Sequence, residues 1–176
     1  MTRTILIFGF ISGGIAAVLM WIMLAAMSGR LIEHGLFLGY ASMIISLSVV
    51  FFGIKSYRDN NGGKISFFKG LQIGIMISLI SALCYAASWE VYYRTSGSDF
   101  MAQYSSQIIE KMKESGTPPE KIAEEEKNMA YMAEIYKNFF VRFAMTLMEI
   151  VPVGLVVTLI SAALLRKREV LSAEPA

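Results

Sequence analysis

Cysteine and histidine are nearly missing from these 176 residues: there is one of each, Cys84 and His34. A single cysteine excludes an internal disulfide. Neither residue has partners at ligand spacing, so a zinc or haem site built on them lacks its remaining ligands. No metal, no cofactor and no catalytic group is therefore expected, and Cys84 reads as a small buried apolar side chain. His34 reads as a solvated residue of a short turn beside Arg30 and Glu33. Charge is also scarce, at 17% Asp, Glu, Lys and Arg against 55% hydrophobic residues. Such a ratio does not suit a water-soluble globule, and 12% aromatic content excludes a disordered chain. The string Gly62-Gly63-Lys64-Ile65-Ser66 lacks both the spacing of a phosphate-binding loop and a preceding strand, which excludes a nucleotide site there.

What is present is long apolar runs. Uncharged stretches cover Ile5 to Met27, Gly35 to Ile54 and Gly70 to Trp89, and a fourth, Phe143 to Leu165, admits only Glu149. Each matches the roughly 20 residues of helix that cross a hydrocarbon core. The expected fold is all-α: a membrane bundle of four transmembrane helices at about 5–27, 35–54, 70–92 and 141–165, in one domain over 1–176. The first run exceeds the length of a signal-peptide apolar region and reads as an uncleaved span.

The loops orient the bundle. One side collects Arg3, Lys55, Arg58, Lys64, Lys69, Arg166, Lys167 and Arg168 against three acids, net +5; the other holds seven bases and nine acids, net −2. The basic side is expected in the cytoplasm, with both termini. Arg166, Lys167 and Arg168 then read as a topogenic anchor, and no nucleic-acid partner is implied. The segment between the third and fourth spans is too long for a bare connection. It is expected to form an extracytoplasmic amphipathic helical hairpin over about 98–140. Ser98 would cap the first helix, with Phe100, Met101, Tyr104, Ile108 and Met112 as its apolar face and Gly116 as its C-cap. Thr117-Pro118-Pro119-Glu120 has the pattern of a capping box. The second helix meets no strong breaker before the fourth span, so one long bent helix is expected to carry both. Ser66 is expected to cap the third span.

Several of these residues resemble a known family. Gly53-Ile54-Lys55-Ser56-Tyr57-Arg58-Asp59, Gly63-Lys64-Ile65-Ser66-Phe67, the stretch Tyr85 to Tyr93 around Trp89, and Pro152 to Ala162 before a basic cluster are similar to the domain of unknown function 4199 family. The resemblance covers the spans and the inner loop. It implies a small bacterial multi-pass inner-membrane protein with no assigned activity, and supplies no catalytic residue.

Two polar patterns remain inside the spans. Ser78, Ser81, Tyr85, Ser88 and Tyr92, with Gly74, recur at intervals of four and three and share one face of the third span. Gly9, Gly13 and Ala17 in the first span, and Gly39, Ser42, Ser46, Val49 and Gly53 in the second, do the same. Such faces allow close packing and weak interhelical hydrogen bonds; the competing reading is a polar solute path. The second pattern is three charges. Glu90 and Arg142 lie at similar height on antiparallel spans and are expected to pair, with Arg94 as a competitor. Glu149 lies about 12 Å deeper than Val141, on the face that Arg142 and Thr146 share by spacing. It is expected either to hydrogen-bond to a Ser or Tyr beside the Pro152 kink, or to serve as a proton or cation relay. The first functional reading is thus a non-enzymatic membrane protein acting through membrane lipids, another membrane protein or copies of itself as a homo-oligomer. A small transporter or channel subunit using Glu149 is the alternative. The two halves show no inverted repeat in its favour, and an intramembrane enzyme would lack its nucleophile and base.

Overall fold

A computed structural model describes residues 1–26, 31–95 and 99–166, without the side chains of 31–34 and 99. The expectations for Arg30, Ser98, Lys167 and Arg168 lie outside the described residues, whereas Glu33 and His34, expected in a short turn, fall in the first turn of α2. Described helices are α1 (Thr2–Ala26), α2 (Leu31–Leu47), α3 (Val49–Asp59), α4 (Phe67–Thr95), α5 (Asp99–Glu114), α6 (Pro119–Tyr136) and α7 (Phe139–Leu165), and no strand occurs among the described residues. Four stretches are long and apolar enough to cross a membrane: Thr2–Ala26, Gly35–Asp59, Phe67–Thr95 and Phe139–Leu165. The second of these comprises most of α2 and all of α3, parted at Ser48, whose hydroxyl donates back to the Ile45 carbonyl at 2.6 Å. Such back-bonding competes with the helical ladder and bends it.

α4 is the central helix, packed most extensively against α1 and α7. Its neighbours are set by residues too small to hold them off. A Cβ at Gly9 would lie 2.8 Å from Ile80, and one at Gly13 would lie 2.5 Å from Cys84, so α1 and α4 run parallel in near-backbone contact. A Cβ at Gly74 would lie 2.5 Å from Thr158, and one at Gly154 would lie 3.0 Å from Ser78, which registers α7 antiparallel to α4. Between the helices sit Met20, Leu47, Val50, Ile54, Ile73, Ile77, Ile150 and Leu165, all buried. The outside is equally apolar: Phe10, Val18, Leu36, Phe37, Ile45, Phe52, Met148 and Ile160 are each more than half exposed. A soluble monomer does not present apolar surface on this scale; a lipid-embedded bundle does.

The second span runs a further turn, to Asp59. This buries Arg58, a residue the charge pattern assigns to the loop; it contacts Asp59 at 2.9 Å. The turn closes on Gly62 and Gly63, both at positive φ, and Ser66 Oγ accepts from the Lys69 amide at 3.3 Å as the expected cap of α4. In the hairpin, Gly116 (φ +70°) ends α5 with Thr117 N–H donating to the Met112 carbonyl and Gly116 N–H to that of Lys113. That bond pair is a Schellman turn.

Three expectations for the hairpin are corrected. The cap of α6 is Pro118, not Thr117, and no capping box forms. A proline disfavours the helical region for the residue before it, so Pro119 holds Pro118 extended (ψ 141°) and leaves Thr117 one residue too early. The apolar face expected on α5 is half-buried at Phe100, Met101, Ile108 and Met112, but Tyr104 is exposed, and the fully buried position among the described side chains is Ile109, one residue off that face. Finally, α6 and α7 are separate helices. Asn138 Oδ1 accepts from the Phe140 and Val141 amides and starts α7 afresh.

Candidate functional site

The polar groups of the spans gather at two levels. The deeper one is a set of hydroxyls. Ser12 Oγ of α1 lies 2.8 Å from the Ser46 carbonyl oxygen and 2.9 Å from Ser81 Oγ, joining three helices at a point. One turn away, Ser78 Oγ lies 3.1 Å from Thr158 Oγ1 and donates to the Gly154 carbonyl at 3.4 Å. The small and polar face expected on α4 is therefore divided between two neighbours, Ser81 serving α1 and Ser78 serving α7. Ser88 accepts from Trp21 Nε1 at 3.0 Å, Tyr92 packs between the rings of Trp21 and Trp89, and Tyr85 is buried in the core. The partnership of Trp21 with Ser88 has no signal in spacing, because it joins helices far apart in sequence.

The shallower level is a charged joint where α4, α6 and α7 meet. Glu90 and Arg142 are both buried and pair in bidentate fashion, Nε to Oε1 and Nη2 to Oε2, each at 2.6 Å. Arg94 Nε is 3.9 Å from Glu90 and its side chain is largely exposed, which leaves it a minor partner. Arg142 Nη1 reaches the Tyr136 carbonyl at 2.7 Å and that of Lys137 at 3.3 Å. These belong to the last turn of α6 and the joint after it, where carbonyls lack the amides of a continuing helix. The guanidinium carbon also sits 4.0 Å from the Tyr93 ring centroid, within cation–π range. Trp89 Nε1 donates to the Tyr136 hydroxyl at 2.8 Å. Burial pushes the Tyr136 phenol well above its ordinary pKa; Glu149 adds to this, while Trp89 and Arg142 oppose it. Burial thus keeps the phenol neutral through the physiological range, and its oxygen accepts from Trp89.

Glu149 is not part of either level. It is exposed on the outside of the bundle and makes no hydrogen bond or ion pair among the described residues. This corrects the expectation that it shares the buried face of Arg142 and bonds to a neighbouring Ser or Tyr. From Arg142 to Thr158 the buried residues of α7 are Arg142, Thr146, Ile150, Gly154 and Thr158, one every fourth position, and Ser161, Ala162 and Leu165 follow them. At about 100° per residue each step of four turns the contact stripe about 40° around the helix. By Ile150 the stripe has swung away, and a residue seven after Arg142 points outward. Of the basic cluster, Arg166 is described: it is exposed and lines a shallow depression with Lys64 and Ser66. No group of three metal-ligating side chains occurs among the described residues.

Four apolar spans whose buried polar side chains find hydrogen-bond partners within the bundle define a multi-pass helical membrane protein. Residues 7–167 match the family described as "Protein of unknown function (DUF4199)", and the chain belongs to it. The matched range includes the hairpin as well as the spans. No curated protein and no solved structure matches the chain.

Proposed function

We propose that the protein is a non-enzymatic component of the bacterial inner membrane, both termini cytoplasmic, whose spans hold the α5–α6 hairpin on the outer side as a contact surface for another membrane protein. The observation that carries this reading is that α6, eighteen residues long, buries none of them. Tyr131 is 67% exposed, and Ile122, Met129 and Met132 are only half-buried. Beside them a cavity of about 260 Å³ opens between α5, α6 and Tyr93. A helix with so little covered is nevertheless held at its end by Arg142, which suits a surface fixed for a partner rather than one left to fray.

Charge favours a protein over the lipid surface as that partner. α6 carries five acids and two bases, and acidic segments are repelled by anionic headgroups. Nothing among the described residues favours the transporter reading, since Glu149 faces away from the bundle interior. A photo-crosslinking residue placed at Tyr131 tests the proposal in native membranes. A discrete protein adduct, weakened when Glu124, Glu125 and Glu126 are changed to Gln, is expected. Lipid adducts alone, from a hairpin that still resists trypsin, would overturn it.

A further inference from the structure

The outward side of α7 carries one polar group with no bonding partner among the described residues and another that lacks its usual helical donor. One is the Glu149 carboxyl. The other is the Met148 carbonyl, whose helical donor would be the amide of residue 152; that residue is Pro152, which has no N–H to give. Both lie in a span whose surface is otherwise apolar, and Met148 is 76% exposed. Where no water competes, unsatisfied backbone groups and intramembrane acids are expensive and call for partners.

The same surface has the spacing of a helix-pairing seam. Met145, Glu149, Pro152, Val156, Leu159 and Ala163 follow one another at intervals of four and three, the 3.5-residue period of left-handed helix pairs. Met145 is half-buried and the other five are exposed. Apolar residues of this period also run along α1, at Ile7, Ile11, Gly14 and Val18, so the period does not by itself select a surface. The two polar groups do.

We propose that this stripe is the contact between two copies of the chain, related by a two-fold axis along the membrane normal and joined through Glu149. A carboxylic acid is both donor and acceptor, and a carbonyl is an acceptor. A two-fold axis along the normal preserves depth, so each Glu149 meets at its own level the Glu149 and the Met148 carbonyl of the second copy. Each acid donates across the axis and each copy receives one bond, a reciprocal arrangement that a self-complementary interface requires. A foreign helix would have to bring a donor to this depth, whereas a second copy brings it by symmetry. One polar position in an apolar seam also sets the register of the pair. The inference stands apart from the hairpin proposal, since it involves neither α5 nor α6.

Single-cysteine chains in a Cys84→Ala background test it in proteoliposomes of low protein density. Oxidation is expected to give a disulfide-linked dimer from Val156→Cys at least tenfold more than from Val18→Cys on the α1 surface. Adding Glu149→Leu to the Val156→Cys chain is expected to raise the dimer dissociation constant about eightfold, as two interhelical hydrogen bonds of ordinary strength give. Glu149→Gln keeps a donor and an acceptor and is expected to leave it within about twofold. Equal crosslinking at both positions, no dimer from chains that keep their helical content, or indifference to Glu149→Leu would each overturn the proposal. So would a purified monomer whose Val156→Cys forms an adduct of different mass in native membranes.

Discussion

Arg142 uses all three nitrogens of its guanidinium: Nε and Nη2 on Glu90, Nη1 on the carbonyls of Tyr136 and Lys137. A buried ion pair is poor evidence of net stability, since desolvating both charges offsets much of their attraction. Losing one partner is another matter, because the survivor is left charged and buried. Arg142→Met and Glu90→Leu are each expected to destabilise the bundle by about 3–5 kcal/mol, and the double variant by clearly less than the sum. Unfolding in detergent by a denaturant series reads all four corners of this cycle; strictly additive losses would show that the two side chains do not act as a pair. The pairing was legible in the sequence because two charges at matching depth on antiparallel spans have few alternatives. The grip on the end of α6 was not, since a backbone carbonyl has no signature among the residue letters.

The helices approach one another through positions that differ by a single residue in sequence and completely in consequence. Gly13 and Gly14 are adjacent on α1, yet a Cβ on Gly13 would lie 2.5 Å from Cys84 while one on Gly14 meets nothing within 4 Å. Gly13→Ala is expected to cost about 1–3 kcal/mol through overpacking. Gly14→Ala is expected to be stabilising by about 0.5–1 kcal/mol, from the backbone entropy that glycine loses in a helix. Thermal melting of the two purified variants separates them, and equal shifts would mean that α1 does not pack on α4 through this face. Four-residue spacing exposes such faces to a reader of the sequence, but not their rotation along the helix. On α1 the buried partner of Gly9 and Gly13 is Ala16 rather than Ala17, and on α7 the drift carries Glu149 out of the interior altogether. Helix ends are missed for a different reason: the start of α6 is decided by the steric demand of Pro119 on Pro118, which outweighs the side-chain chemistry of Thr117.

At the scale of the whole molecule, the apolar runs alone are enough to identify four spans, because an uncharged run of about 20 residues crosses lipid as a helix that bonds its own backbone. Which side faces the cytoplasm is a question of charge, not of packing. Lys55 and Arg58 near the end of α3, Lys64 in the turn and Lys69 at the start of α4 lie at the same end of the bundle as Arg3 and Arg166, and the acidic hairpin lies at the other. Basic residues near the ends of spans are retained on the cytoplasmic side, so the turn is expected inside and the hairpin outside. Cys84 is the one native thiol, and replacing it with alanine leaves a background on which single cysteines report position. Asn61 in the turn and Ser115 in the hairpin are both exposed, at opposite ends. In intact spheroplasts an impermeant maleimide is expected to label Ser115→Cys and to leave Asn61→Cys unmodified until the membrane is opened. The reverse pattern would invert the molecule. Labelling of both sites before opening would place the turn and the hairpin on one side, which an even number of spans between them permits and the single α4 does not.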